Sequence, residues 1–567
     1  MIRLPVGFEN FREIIDSKFE YVDKSLLVKE LMDDTAKIVV FTRPRRFGKT
    51  LNMSMLQHFF ANTVAGLETR GLFNHLKITT FPEYMKHQGQ YPVISISFKD
   101  IKEDTFQQAY DKFYELLIEV YSQHLEVMES NKLQAREKEL CRLLLSRQAT
   151  RAQVENALKT LTTCVCQHYG VNPLLLIDEY DTPIQAGFNG GYYEEIIAFT
   201  RNVLSAALKG NPYLFRGVLT GILRVSKESL FSGLNNLEVY SLLRSEYGQF
   251  FGFTEPETED LLKKANLEHT LPEIKHWYNG YQSGEIIVYN PWSIVNCIKR
   301  QGAIELYWVN TSDNILVKKL LSNASQGFKE QLEFLLNGDS IERIIDENIV
   351  FGDLKTNESA IWSLLVMTGY LKVSTRHYTE QGSKCQLKIP NQEVRSLYRN
   401  IIEQWLSNGF GIEWYNQFLT DFLNGNMIAF EAALQKIMLQ IVGIYDFIHE
   451  PEAFYHGLLL GLIASLDKTK YLIKSNKESG LGRYDILIIP KEPNLLGIIL
   501  ELKSIKIQKS EKELRLESRL TEGALEALEQ ITKGHYISEL EQQGVRNILK
   551  IGLAFSGKQF KLEYQKI

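Results

Sequence analysis

The sequence predicts an α/β protein: a P-loop parallel-sheet domain, then a mainly helical middle region, then a second α/β domain at the C-terminal end. Three observations carry this expectation. Near the start, the apolar run Lys37-Ile-Val-Val-Phe41 leads into Arg43-Pro-Arg-Arg-Phe-Gly-Lys-Thr50, and helical periodicity follows through Leu51, Met55, Leu56 and Phe59. Downstream, apolar strand-like runs alternate with helical stretches, the order a parallel sheet requires. Near the end, two apolar runs carry acids: Tyr484-Asp485-Ile-Leu-Ile-Ile489, and Ile498-Ile-Leu-Glu501-Leu502-Lys503.

A chain of 567 residues exceeds what one hydrophobic core serves. The expected domains are residues 1–250, 251–440 and 441–567. In the first, Tyr91–Phe98, Pro173–Ile177 and Phe215–Gly221 are expected to join Lys37–Phe41 as buried strands, and Thr105 to about His168 reads as one long helical stretch. In the middle region, Glu255–Leu262 and Leu271–Trp277 read as helices, and aromatic residues crowd Trp277–Tyr281 and Val288–Trp292 as a packed lid. From Asn310 to about Gln440 amphipathic helix dominates, with a hairpin around Tyr370–Pro390 and no legible chemistry. The last segment, from about Phe447, reads helix, strand, strand, helix.

Composition excludes some classes. A net charge of −5 is not that of a polybasic nucleic-acid binder, although a local basic groove is compatible with it. The five cysteines are scattered and odd in number, which argues against a disulfide scaffold and for a reducing compartment. Cys164-Val-Cys166-Gln-His168 has the wrong spacing for a zinc knuckle and reads as core. With no apolar h-region at the start and no run of roughly 18 to 20 apolar residues, a cytoplasmic location is expected.

Phosphate binding needs inward backbone N–H groups at a helix N-terminus. In the loop, Gly48 permits close backbone approach, Lys49 reaches the β- and γ-phosphates, and Thr50 offers a hydroxyl to Mg²⁺. Arg45 and Arg46 add positive charge, and Arg43 stands where G-x-x-x-x-G-K-[ST] has its first glycine. Phe47 and Leu51 complete the expected nucleotide contacts. Four apolar residues then run into Asp178-Glu179: Asp178 to hold Mg²⁺ and Glu179 to polarise the attacking water. Thr220, ending the next strand, is the expected γ-phosphate sensor, and Arg224 a candidate charge stabiliser.

These residues carry a resemblance. Leu4-Pro-Val-Gly-Phe8, Tyr21-Val-Asp-Lys24, the arginine-rich loop, Leu176-Ile-Asp-Glu-Tyr-Asp181, Thr220-Gly-Ile222 and Phe231-Ser-Gly-Leu-Asn-Asn236 resemble a bacterial AAA-ATPase-like family. So do Tyr278-Asn-Gly-Tyr281 and Tyr289-Asn-Pro-Trp292, so the likeness covers nearly the whole chain. That family is commonly fused to a C-terminal PD-(D/E)XK nuclease-like domain, and its loop is also arginine-rich.

The C-terminal acids fit that resemblance. Metal-dependent phosphodiester cleavage needs carboxylates for Mg²⁺ and a cation for water or phosphate. Asp485 and Glu501 lie on successive strands. Lys503 shares the face of Glu501 by the two-residue period, and the Leu502 carbonyl is available as a further ligand. The order Asp…Glu-x-Lys is similar to PD-(D/E)XK nucleases, which implies metal ligation by Asp485 and Glu501 and catalysis with Lys503. A preceding helical acid would be Glu452, or else Glu478. Gln530, followed by Tyr536, resembles the glutamine and tyrosine of the RecB-like branch. His456 reads as a satisfied core histidine.

The resemblance implies ATP with Mg²⁺ (or Mn²⁺ at the nuclease site) and a nucleic-acid partner with DNA ahead of RNA; a homo-oligomer is a candidate assembly. The rival expectation is an ATP-operated switch or effector-like interaction protein whose nuclease-like domain binds without cleaving.

Overall fold

The computed structural model describes residues 2–224, 237–309, 315–322, 324–348, 351–355, 357–380, 382–407, 412–441, 451–463, 466–467, 470–479, 482–505, 513–534 and 536–567. The Phe231–Asn236 motif and the expected start near Phe447 lie outside them. The chain divides into two compact units: Met1–Leu320 with Ser340–Arg395, and Leu321–Asp339 with Ser396–Ile567.

The first unit is built on five parallel strands: β1 (Ile38–Thr42), β2 (Val93–Ser97), β3 (Leu174–Asp178), β4 (Arg216–Gly221) and β5 (Leu237–Tyr240). Their spatial order is β2-β3-β4-β1-β5. Every residue of β1 and β3 is buried, as expected for parallel strands covered by helices on both faces. Phe41 pairs with Thr220, and Ser97 with Asp178. The C-terminal ends of the strands therefore share one edge, where open α/β sheets bind their ligands. Phe11, Phe41, Leu56, Phe59, Phe73, Leu176 and Val218 belong to the core that fixes the sheet against the helix Lys49–Phe60.

Two elements differ from expectation. Strand β5 was not foreseen, because four residues of Leu-Glu-Val-Tyr are too short to show a period. The stretch from Thr105 to His168 is divided into the helices Phe106–Ser122, Leu125–Met128, Ala135–Leu145, Arg151–Glu155 and Ala157–Tyr169. Apolar spacing persists across the breaks, and side-chain caps mark the start of the stretch and one of its restarts. Thr105 accepts from the Gln108 amide, and Thr150 forms a capping box with Gln153.

The middle region supplies a three-stranded antiparallel sheet of β6 (Ile341–Ile345), β7 (Lys372–Thr379) and β8 (Gly382–Lys388), ordered β6-β8-β7. The expected hairpin is β7 and β8; β6 joins it. Tyr278 and Tyr289 are fully buried, so the aromatic stretch is packed. This region also braces the phosphate loop. Tyr281 packs edge-on to Phe47 at 5.1 Å, and the Trp308 indole donates to the Arg45 carbonyl at 3.1 Å. The Trp308 amide donates to the buried Glu393 carboxylate at 2.6 Å, and Ser293 Oγ donates to its other oxygen at 2.8 Å.

In the second unit a five-stranded sheet runs β9 (Tyr471–Ser479), β10 (Gly482–Pro490), β11 (Gly497–Ser504), β12 (Ile548–Ser556) and β13 (Gln559–Lys566), in that spatial order. Only β11 and β12 are parallel, and the helix Glu513–Lys533 makes their crossover. Strands β9, β12 and β13 extend the expected helix–strand–strand–helix order. The helix Pro451–Ile463 covers the opposite face, with Tyr455 stacked on Phe555 at 4.2 Å. The crossover helix comes close to the sheet at Gly552, the register partner of Glu501. A Cβ there would overlap the Ala524 carbonyl and lie 2.7 Å from the Leu528 amide.

Two predictions follow from this packing. Burial pushes the Glu393 carboxyl up to about 7 from its ordinary 4.5, against the hydrogen bonds from Trp308 and Ser293. A raised folded value contributes stability that is present below pH 4.5 and lost as pH rises through about 7. Thermal midpoints recorded across this window should fall more steeply for the wild type than for Glu393→Gln; parallel curves would refute this. Gly552→Ala should destabilise the second unit by about 1–3 kcal/mol in urea unfolding, because backbone, not a flexible side chain, must yield.

Candidate functional site

The phosphate loop is shaped by two residues with positive φ, Arg46 (67°) and Gly48 (82°). Gly48 caps the helix Lys49–Phe60, and a Cβ at that position would meet nothing within 4 Å. Glycine is therefore favoured here by backbone conformation rather than by space. The first N–H groups of the helix lack intrahelical partners and face the loop, as anion binding requires.

Asp178 lies at the end of β3 and is 5% exposed. Its Oδ2 accepts from Thr50 Oγ1 at 2.7 Å, and its Oδ1 accepts from Thr220 Oγ1. Burial raises its pKa, while the Thr220 and Thr50 hydroxyls and Lys49 pull it back down. Thr220 is itself fully buried and also accepts from the Glu179 amide at 3.4 Å. Glu179 has φ of 52°, a turn that takes it away from the strand direction. Lys49 donates to the carbonyls of Arg43 and Pro44 at 3.0 and 2.9 Å, closing the loop on itself. Burial lowers its pKa; Glu179, Asp178 and Asp181 oppose that shift.

A cavity of about 390 Å³ opens over the loop. Arg45 to Asn52 line one side, with Glu179 and Thr182 beside them. The lining also includes Leu4, Pro5, Gly7, Phe8 and Glu9, with Tyr21, Val22 and Lys24. Phe253, Leu261, Trp292 and Val295 add apolar wall, so the cavity has one charged and one apolar region. Arg46 stacks over Trp292 at 4.4 Å. Lys24 is locked to Glu257 at 2.6 Å and to the Gln249 carbonyl at 2.6 Å.

Arg43 requires a correction: the structure does not bring its side chain to the cavity. It is fully buried, donates to the Tyr240 carbonyl at 2.6 Å and lies 5.2 Å from the centre of the Phe251 ring. Burial pushes its pKa down to about 9. Only its carbonyl, held by Lys49, belongs to the loop. Arg45 reaches Gln185 at 3.3 Å, Phe47 is buried against Tyr281, and Leu51 lines the cavity. Arg224 sits in an isolated bridge with Asn348.

Sequence reasoning passed over Asp181, Trp292, Trp308, Lys99 and the cavity role of the N-terminal segment. Buried Asp181 accepts from the amides of Ile222 and Leu223 at 2.9 Å each, tying the end of β4 to the acidic turn. The signals were present in Leu4–Phe8 and Asp178-Glu-Tyr-Asp181, but nothing local states what such residues touch.

In the second unit, Ile486–Leu500 is the last register pair of β10 and β11 toward the site, and Asp485 and Glu501 are the next residue of each strand. Asp485 Oδ2 accepts from the Leu502 amide at 2.8 Å. Its carbonyl lies 3.1 Å from His456 Nε2, which is 3.2 Å from Ser475 Oγ. His456, half-buried, is thus a satisfied histidine beside the Asp485 strand. Glu501 is 3% exposed and accepts from Gln530 Nε2, while Lys503 Nζ donates to Gln530 Oε1 at 2.6 Å. The amide bridges acid and base with each end matched to its charge. Tyr536 is buried in the neighbouring apolar cluster. Glu452 is on the helix Pro451–Ile463, whereas Glu478 is on β9; their side chains lie outside the described residues.

Both sites present oxygen donors, the chemistry a hard divalent cation takes. Among the described residues no three His, Cys, Asp or Glu side chains gather into a metal cluster. No helix among them is long and apolar enough to cross a membrane.

Known proteins bear on both sites. Residues 5–231 match the family model described as predicted AAA-ATPase, and residues 450–565 match the PD-(D/E)XK nuclease superfamily. An uncharacterized protein in the vnfD 5′ region of Azotobacter chroococcum mcd 1 is 27% identical over 397 residues, covering 70% of this chain and 68% of its own length. With the Asp178 and Glu501 arrangements, these matches lead to one conclusion: the chain carries an AAA-ATPase-like domain over residues 5–231 and a C-terminal PD-(D/E)XK nuclease superfamily domain over residues 450–565.

Proposed function

We propose that this protein binds and hydrolyses ATP in its first unit and cleaves nucleic acid, DNA ahead of RNA, at the Asp485–Glu501–Lys503 site. The observation that carries the first half is the Thr50–Asp178–Thr220 arrangement beneath a loop-lined cavity. Thr50 and Asp178 would hold Mg²⁺, which when bound neutralises developing phosphate charge. Lys49 would exchange the Arg43 and Pro44 carbonyls for phosphate oxygens, a charge-assisted replacement. Glu179 would orient and deprotonate water, while Thr220 keeps the acidic turn in place. The apolar region of the cavity suits a nucleobase, with the Leu4–Phe8 segment as one wall.

The second half is supported by the Glu501–Gln530–Lys503 bridge. Asp485, Glu501 and the Leu502 carbonyl would hold Mg²⁺ or Mn²⁺, which when bound would supply Lewis acidity to water and to the phosphate oxygens. Lys503 would position that water or the scissile phosphate. Gln530 would keep the lysine on the Glu501 face, and His456 would hold the strand that presents Asp485. We assign nucleotide chemistry to residues 1–250, a supporting role to 251–440 and phosphodiester chemistry to 441–567, in a cytoplasmic bacterial protein that self-associates.

The test uses the full chain with Mg²⁺ or Mn²⁺, offered single- or double-stranded DNA or RNA, with and without ATP. Lys49→Ala should lower nucleotide turnover at least about a hundredfold, the scale of losing one transition-state charge contact. Lys503→Ala and Glu501→Gln should each abolish cleavage while leaving nucleotide turnover intact. Cleavage that survives Lys503→Ala, or turnover untouched by Lys49→Ala, would refute the corresponding half. Nucleic-acid binding without cleavage under every condition would favour an ATP-operated binding switch instead.

A further inference from the structure

Lys99 lines the same cavity as Lys49, Thr50 and Glu179. It follows β2, whose Ser97 pairs with Asp178, and the intervening Phe98 amide donates to the Asp178 carbonyl at 2.9 Å. The chain therefore runs beside the acidic turn at this point, and Lys99 feels the Glu179 charge. Its ion-pair partner is elsewhere: Lys99 Nζ lies 2.9 Å from Glu9 Oε2. Glu9 belongs to the N-terminal segment, which also lines the cavity.

Most other cations of the cavity are engaged differently: Lys24 is buried against Glu257, Lys49 is closed inside the loop, Arg45 reaches Gln185 and Arg46 lies on Trp292. Lys102 also lines the cavity and is exposed, but it lies three residues further along the chain from Lys99, which feels the Glu179 charge. The Lys99–Glu9 pair is almost half exposed on both sides, at 44% and 48% of side-chain surface. Such a pair is weak and exchanges readily. A phosphate oxygen offers the same ammonium more charge in a less hydrated setting.

Resting on the nucleotide reading of this cavity, we propose that Lys99 discriminates a nucleoside triphosphate from a diphosphate by leaving Glu9 for the terminal phosphate. Lys99 serves as a binding residue for the γ-phosphate beside Glu179, and Glu9 competes with the nucleotide for it. Triphosphate occupancy thereby releases the N-terminal wall from the end of β2, and diphosphate occupancy leaves the two joined.

Isothermal titration of the full chain with ADP and with a slowly hydrolysed ATP analogue, both with Mg²⁺, tests this. Lys99→Met should weaken the triphosphate analogue about tenfold and change ADP affinity less than about twofold, the scale of one charge-assisted contact. Lys99→Arg should restore most of the difference. Glu9→Gln should tighten the triphosphate by removing the competitor, and that gain should vanish in the Lys99→Met background. Equal weakening of both nucleotides by Lys99→Met, or weakening of the triphosphate by Glu9→Gln, would overturn the proposal and leave the pair as a structural strut. Wild-type protein that binds neither nucleotide would instead overturn the reading of the cavity itself.

Discussion

The buried Asp178 carboxylate is the contact on which the first site depends. One oxygen takes the hydroxyl of the first helical turn after the loop, and the other takes the hydroxyl at the end of β4. Because β4 lies between β1 and β3, this single group ties together the ends of three adjacent strands. Burial works against its charge, and charge-assisted bonds of about 1.5–3 kcal/mol each offset that cost. An apolar side chain here would leave both hydroxyls without their acceptor. The loop and the acidic turn would then lose their common reference point.

Around that contact, support comes in layers from parts of the chain far apart in sequence. Asp181 holds the residues after Thr220 by their amides. Trp308 holds the Arg45 carbonyl and is itself held by Glu393. Arg43, which stands where a glycine is usual, anchors the loop to the end of β5 through the Tyr240 carbonyl. The loop keeps its shape through a buried guanidinium rather than through an extra glycine. The second unit uses a comparable device on a different sheet. Gly552 admits the crossover helix close to the strands, and that approach delivers Gln530 to both Glu501 and Lys503.

Much of this was legible in the residues. The strand, loop and helix around Gly48, Lys49 and Thr50 follow from apolar runs and from the conformation only glycine adopts easily. Asp178 and Thr220 could be placed at strand ends because β-strands carry their chemistry there. Lys503 fell on the face of Glu501 because the strand period is two. What could not be read were features without a local signature. Strand β5 and strand β6 are short, and the breaks between residues 105 and 168 interrupt an apolar spacing that continues across them. Arg43 looked like a phosphate ligand because charge near a loop has no direction until the neighbours are known.

By itself, then, the sequence determined which residues could do phosphate chemistry, in what order, and on which kind of element, because periodicity and backbone preference are local properties. Tertiary structure alone decided which of them meet. It turned Arg43 inward, brought Leu4–Glu9 and Trp292 to the wall of the cavity, set Lys99 against Glu9, and placed Gln530 between an acid and a base. The reason is physical: a buried polar group must find its partner across the fold, and the identity of that partner is fixed by packing over distances that no local pattern encodes.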